Sequence, residues 1–201
     1  MLDAQSIAWR LLAILAVILP CKAGFAALPT IPVLVPIISL LAAEGSSQRN
    51  GALLALLTPP FGVKPPFTVT DTGTTPGGAF NGSERAVSDG RVTAVAASML
   101  GTQMLAMLPQ AAEQKALIVT ISRTADITRK GNRFVFQFFP ADSVVKSAQV
   151  RYAIDTYHIN CPAVIPQTIA YGQSGRVEIV EALAANGVMP VDQYGLDING
   201  A

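Results

Sequence analysis

Residues 92–121 read VTAVAASMLGTQMLAMLPQAAEQKALIVTI, and this stretch decides the fold. Val92 to Ala97 is short and apolar, as a buried strand is. Ser98 to Thr102 is a small, polar turn. Gln103 to Gln114 has the length and composition of a helix, and Leu117 to Ile121 is a second apolar run rich in β-branched residues, which pack well on a pleated surface. A strand, a helix and a strand in that order make a crossover between parallel neighbours.

The same rhythm extends in both directions. Upstream, Ile31 to Ile38 reads as a strand despite Pro32 and Pro36. Glu44-Gly45-Ser46-Ser47 follows as a turn, and Gln48 to Leu57 as a short helix. Thr58 to Pro66 is one Pro-rich connection. Phe67 to Asp71 is a strand, Thr72 to Gly78 a loop, and Ala79 to Ser88 a helix stopped by Asp89-Gly90. Downstream, Phe134 to Phe139 is a strand and Asp142 to Tyr157 a helix with Asp142 or Ser143 as its cap. A strand over Ala163 to Gln167, a helix over Ser174 to Ala185 ending at Asn186-Gly187, and a strand over Val188 to Tyr194 complete the pattern. The fold class is α/β, an open parallel sheet with helices on both faces.

Composition narrows the function. The chain has 201 residues, 51% of them hydrophobic and 13% charged, enough for a sizeable core. Its 14 Lys and Arg against 13 Asp and Glu give a formal charge of +1, without the basic excess of a nucleic-acid binder. Arg10, the apolar run Leu11 to Leu19 and the small residues around Ala23 to Ala27 have the layout of a signal peptide cleaved after Ala26. The run is shorter than the roughly 20 apolar residues that span a bilayer. Cleavage leaves 12 acidic and 12 basic residues and Cys161 as the remaining cysteine, expected to be a small buried hydrophobe without a disulfide. Cys21 stands where a lipid-anchoring cysteine could sit, but Pro20 before it speaks against that.

Several stretches carry a family likeness. Val33 to Gly51, with Glu44-Gly45 and Gln48-Arg49-Asn50-Gly51, resembles the opening strand, loop and first helix of type I periplasmic solute-binding proteins, most closely the leucine-binding-protein-like receptors of branched-chain amino-acid transport systems. Asp71 ends a strand as the family's second-strand acidic residue does. Thr75-Pro76 resembles the following helix start, and Ala86 to Gly90 that helix's end. Val119 to Thr124 resembles a strand and ligand loop, with Ile121 in place of a proline and Arg123 in place of a small residue. Phe136 to Ser143 resembles the crossover between lobes, and Tyr171 to Arg176 a strand-to-helix turn of the second lobe.

The resemblance implies residues 1–26 as signal peptide, 27–141 as a first ligand-binding lobe, and 142–201 as the crossover helix and the start of an incomplete second lobe. It implies a ligand held between lobes that close by hinge motion, without covalent chemistry. A zwitterionic amino acid needs hydroxyl and N–H donors for its carboxylate and oxygen acceptors for its ammonium. Ser98 and Thr102 supply the first kind; by resemblance, Thr124 adds a hydroxyl, Ser122 a backbone carbonyl near the ammonium, and Tyr171 closes from the second lobe. Ser98 and Thr102 would serve equally as ordinary helix caps, Ser122 and Thr124 as a polar turn, and Tyr171 as surface packing.

The expected function is a periplasmic receptor that captures an amino acid or similar small carboxylate for the membrane permease of an ABC importer. A sensory or regulatory module of the same fold, and a nonfunctional truncated remnant, are the alternatives. Enzyme chemistry is not expected: Gly172-Gln173-Ser174-Gly175 lacks the spacing of a nucleophile elbow, and His158 has no triad around it. The glycines of Thr72 to Gly78 lack the Lys and Ser or Thr of a phosphate loop. His158 and Cys161 are too few for a closed zinc site, so neither a metal nor a cofactor is expected. Asn81-Gly82-Ser83 matches a glycosylation triplet by chance frequency and is given no role.

Overall fold

The computed structural model describes residues 28–38, 40–59, 62–88 and 90–197. The expected signal peptide, its cleavage site, Cys21 and Asp89 lie outside the described residues. In chain order the elements are β1 (Ile31–Val35), α1 (Ala42–Leu57), β2 (Phe67–Asp71), α2 (Pro76–Val87), β3 (Ala94–Ala97), α3 (Gly101–Gln114), β4 (Leu117–Thr120), α4 (Asp126–Arg129) and β5 (Val135–Gln137). Then come α5 (Asp142–Tyr157), β6 (Ala163–Val164), α6 (Ala170–Ala185) and β7 (Asp192–Gln193).

The first five strands form one parallel sheet in the order β2-β1-β3-β4-β5, and β6 pairs with β7 in a second, also parallel. From β1 the chain steps one way to β2 and then returns past β1 to β3, β4 and β5. With right-handed crossovers, α1 covers one face of the sheet, and α2 and α3 the other. The contacts agree, since α2 packs along α3 while α1 rests on β1. Leu34, Val95, Met104, Met107, Ile118 and Ile127 are fully buried in the core between this sheet and its helices. Val150, Val164, Ala182 and Leu183 form a separate small cluster where α5 and α6 meet β6.

Proline shapes β1. Ile31 donates to Pro66 O at 2.9 Å and Val35 O accepts from Thr72 N at 3.1 Å, so alternation turns residue 32 toward β3. Pro32 has no N–H to offer there. The pairing with β3 shifts by one residue across it, from Thr30 opposite Val92 to Val33 opposite Ala96. The strand ends at Val35, short of the expected Ile38.

Other boundaries differ from expectation for identifiable reasons. Glu44 to Ser47 is helix, not turn. Gly45 is there because α1 crosses the end of β1 so closely that a Cβ would overlap the Pro36 carbonyl oxygen and lie 2.5 Å from its carbon. Tyr171 to Ser174 is likewise the first turn of α6, and a Cβ on Gly172 would lie 2.6 Å from the Gln167 nitrogen. α2 starts three residues before Ala79, with Pro76 in its first turn and the Thr75 hydroxyl accepting from Gly78 N at 3.1 Å. Neither Asp142 nor Ser143 caps α5: Ala141 takes the cap position, and Asp142 is fully buried. Cys161 is exposed rather than buried.

The expected strand Val188 to Tyr194 contracts to β7, yet its hydrogen bonds run further. Val191 donates to Pro162 O, Tyr194 to Val164 O and Leu196 to Pro166 O. Ile165, Met189, Val191, Tyr194 and Leu196 around this small sheet are all more than half exposed. No helix among the described residues is long and apolar enough to cross a membrane.

Candidate functional site

The strand order reverses at β1 and β3, so the loops leaving their carboxyl ends part and open a crevice. A cleft of about 360 Å³ lies there. Leu40 and Leu41 enter it after β1, and Met99, Leu100 and Gly101 after β3. Ile121 and Arg123 follow from β4 and Phe139 from β5. The opposite wall is Gln167 and Ile169, from the segment between β6 and α6, and Tyr171 in the first turn of α6.

Polar ties hold the first wall in shape. Asp71 Oδ1 accepts from Ile37 N at 2.8 Å, Ile38 N at 3.3 Å and Gly73 N at 3.1 Å, joining the ends of β1 and β2. Gln103, fully buried, donates to the carbonyls of Thr72, Gly73 and Thr75 at 2.9 to 3.2 Å and accepts from the Thr72 hydroxyl at 3.1 Å. Thr120 Oγ1 donates to Ser98 O at 2.7 Å and accepts from Ser122 N at 3.0 Å, locking the ends of β3 and β4 together.

The residues singled out in the sequence sit as follows. Ser98 is fully buried, and its hydroxyl accepts from Leu100 N at 3.1 Å. Thr102 is half-buried in the first turn of α3. Ser122 and Thr124 are buried with hydroxyls that have no hydrogen-bond partner, and Ser122 O accepts from Gln137 Nε2 at 2.6 Å. Thr124 packs on Gly101 so tightly that a Cβ there would overlap its hydroxyl. Tyr171 is half-buried and lines the cleft from the opposite wall. Ser98, Thr102, Ser122 and Thr124 thus gather around the start of α3, one residue away from the side chains that form the cleft surface.

Sequence reasoning passed over the residues between them. Met99, Leu100 and Gly101 lie inside the Ser98 to Thr102 turn, and Arg123 between Ser122 and Thr124. Arg123 did leave a signal, a long cation in a turn otherwise made of small residues. Its Nη2 lies 3.3 Å from Asp142 Oδ1. Desolvation by burial pushes the Asp142 carboxyl above the ordinary aspartate range, against the pull of Lys146 and Arg123.

A larger hollow of about 420 Å³ lies between α5, α6 and β6, walled by Val150, Val164, Ile179 and Leu183 and reaching Gln167 and Tyr171 at its rim. None of the five-stranded sheet's strand ends lines it.

The family model for periplasmic binding proteins matches residues 29–198. Solved structures similar to the chain include the leucine-binding protein LivK of Thermotoga maritima, at TM-score 0.78 and 20% identity over 85% of this chain and 49% of that one. An extracellular ligand-binding receptor from Rhodopseudomonas palustris HaA2 has TM-score 0.78 and 20% identity over 87% and 49%. A solute-binding protein of an ABC transporter from R. palustris, in complex with benzoate, has TM-score 0.76 and 16% identity over 86% and 49%. The chain spans about half the length of these structures. No curated protein matches it. With the model covering most of the chain and the sheet order and cleft as described, the chain belongs to the periplasmic binding protein family and has the type I fold of its leucine-binding members.

Proposed function

We propose that this protein is an extracytoplasmic solute-binding receptor that captures an amino acid or similar small carboxylate for an ABC-type importer. The observation that carries the reading is the cleft at the strand-order reversal, bounded by loops of the five-stranded sheet on one side and by Gln167, Ile169 and Tyr171 on the other. Residues 27–141 form the first ligand-binding lobe, and 142–201 the crossover helix and the beginning of the second. Binding is capture and release, with no bond made or broken. The solved relatives support this class of role, one being a leucine-binding protein and another a benzoate complex.

Calorimetric titration of the purified protein with leucine, isoleucine, valine and a panel of small carboxylates tests the reading. Saturable heat from at least one of these solutes is expected. A folded sample that gives no heat with any of them overturns it.

A further inference from the structure

The edge of the five-stranded sheet opposite the cleft is basic. All five strands run parallel, so the segments that enter them lie together at their amino ends. These segments, residues 28–30, 58–66, 88–93, 115–116 and 130–134, contain Lys64, Arg91, Lys115, Lys130 and Arg133 against one acid, Asp89. The segments that leave the strands on the cleft side, residues 36–41, 72–75, 98–100, 121–125 and 138–141, contain a single charge, Arg123, and it faces Asp142.

Helix C-termini attract cations, and this accounts for Lys115 and Lys130, each of which directly follows a helix. It does not account for Lys64, seven residues past α1, or for Arg133, four past α4. Lys64, Lys115, Lys130 and Arg133 are all exposed and make no ion pair among the described residues. In the helix turns before them Glu84 and Arg85 cancel in sum, as do Asp126 and Arg129, while Glu113 takes one charge back. Five cations less Asp89 and Glu113 leave a charge of +3 at this edge. The mature chain as a whole is balanced, so the charge is segregated here rather than general.

The row of cations runs across four strand spacings from β2 to β5, about 19 Å. Apolar side chains stand among them: Leu28 before β1, Val63 beside Lys64 and Leu117 at the start of β4 are all exposed. A nucleic-acid backbone rewards the charge alone. A surface of anionic lipid rewards both, because cations meet headgroup phosphates while apolar side chains enter the boundary with the acyl chains. The chain also leads from this edge toward a bilayer. Eight residues separate the apolar run Leu11 to Leu19 from Leu28, a reach of about 30 Å at most.

We propose that the edge formed by the amino ends of the five strands is a docking face for an anionic phospholipid bilayer. Lys64, Lys115, Lys130 and Arg133 meet the headgroups, and Leu28, Val63 and Leu117 sit at the boundary beneath them. The cleft, at the other ends of the same strands, then opens away from the bilayer. None of this depends on which solute the cleft holds.

The test is co-sedimentation of residues 27–201, which contain every described element and lack the apolar run, with vesicles of phosphatidylcholine with and without phosphatidylglycerol. Each cation near an anionic surface contributes roughly fivefold, so a preference of at least about tenfold for the anionic vesicles is expected, weakening as salt is added. Lys64→Gln, Lys115→Gln, Lys130→Gln and Arg133→Gln combined are expected to abolish that preference with the circular dichroism unchanged. The chain's one tryptophan, Trp9, is outside residues 27–201, so Val63→Trp and Leu40→Trp are lone reporters at opposite ends of the sheet. Anionic vesicles should shift the emission of Val63→Trp to the blue and leave that of Leu40→Trp in place. Equal binding to both vesicles, binding to neither, a preference that the fourfold variant keeps, or a shift in Leu40→Trp as large as that in Val63→Trp overturns the proposal.

Discussion

At the scale of the residue, two glycines of one helix have opposite roles. Gly45 lets α1 pass over the Pro36 carbonyl, where any Cβ would collide with backbone that cannot swing away. Gly51, two turns on, has nothing within 4 Å of its Cβ position. Gly45→Ala should destabilise the protein by about 1–3 kcal/mol or more, and Gly51→Ala should stabilise it by about 0.5–1 kcal/mol. Urea unfolding of the two variants checks the pair, and equal effects would remove the close approach as the reason for Gly45. Asp142 makes a prediction of a different kind. Burial raises its carboxyl above the usual value of about 3.9. Between that value and the raised one the unfolded chain is ionised while the folded protein still holds its proton. Folding then takes up a proton, and this group's contribution to stability falls as pH rises through the window. Asp142→Asn lacks the effect. Its stability relative to the parent protein should therefore climb as pH is raised from about 4, and a difference independent of pH would contradict the assignment.

At the scale of the element, the carboxyl ends of the strands are set by side chains that bond backbone. Thr120 fastens the end of β4 to that of β3 by donating to Ser98 O and steadies its own following loop by accepting from Ser122 N, so Thr120→Val keeps shape and removes both bonds. A loss of about 1–3 kcal/mol is expected from urea unfolding, since Ser98 O and Ser122 N lie in buried surroundings. These ties also explain what the sequence disclosed. Phe67–Asp71 and Asp142–Tyr157 are readable to the residue, because each is bounded by breaks in the sequence: Pro65-Pro66 and Thr72-Gly73 around the first, Pro140-Ala141 and the stretch from His158 to Pro162 around the second. Glu44 to Ser47 and Tyr171 to Ser174 were misread as turns because glycine and serine are turn formers by habit. Here the glycines answer to a close approach that only the assembled structure reveals. α4 has four residues, too few for any period to show. Of the residues named from the sequence, Tyr171 lines the cleft, and Ser98, Thr102, Ser122 and Thr124 stand next in the chain to residues that do; Leu40, Leu41, Phe139, Gln167 and Ile169 gave no sign, because the loops that carry them have neither period nor motif. Thr120, which ties the end of β4 to that of β3, looks like any other β-branched strand residue.

At the scale of the whole molecule, one polar contact that joins the two sheets' surroundings is costly to break. Arg129 on α4 meets Glu178 on α6 through both carboxylate oxygens, with Nη2 3.1 Å from Oε2. Glu178 is nearly fully buried, while Arg129 is about half exposed at 48%. Removing one partner of a fully buried pair costs about 3–5 kcal/mol; with the cation half in water, about 1–2 kcal/mol is the expected loss for Arg129→Met. Adding Glu178→Met should recover most of it. A double-mutant cycle by chemical denaturation measures the coupling, and strict additivity would show that the pair does not connect the two units. The small sheet has a consequence for how the protein behaves as a material. Ile165, Met189, Val191, Tyr194 and Leu196 give the folded molecule a greasy flank beside a two-stranded ribbon. Such a flank draws in detergent tails, plastic surfaces and fluorescent apolar dyes, and it sets a ceiling on the concentration at which the protein stays dispersed.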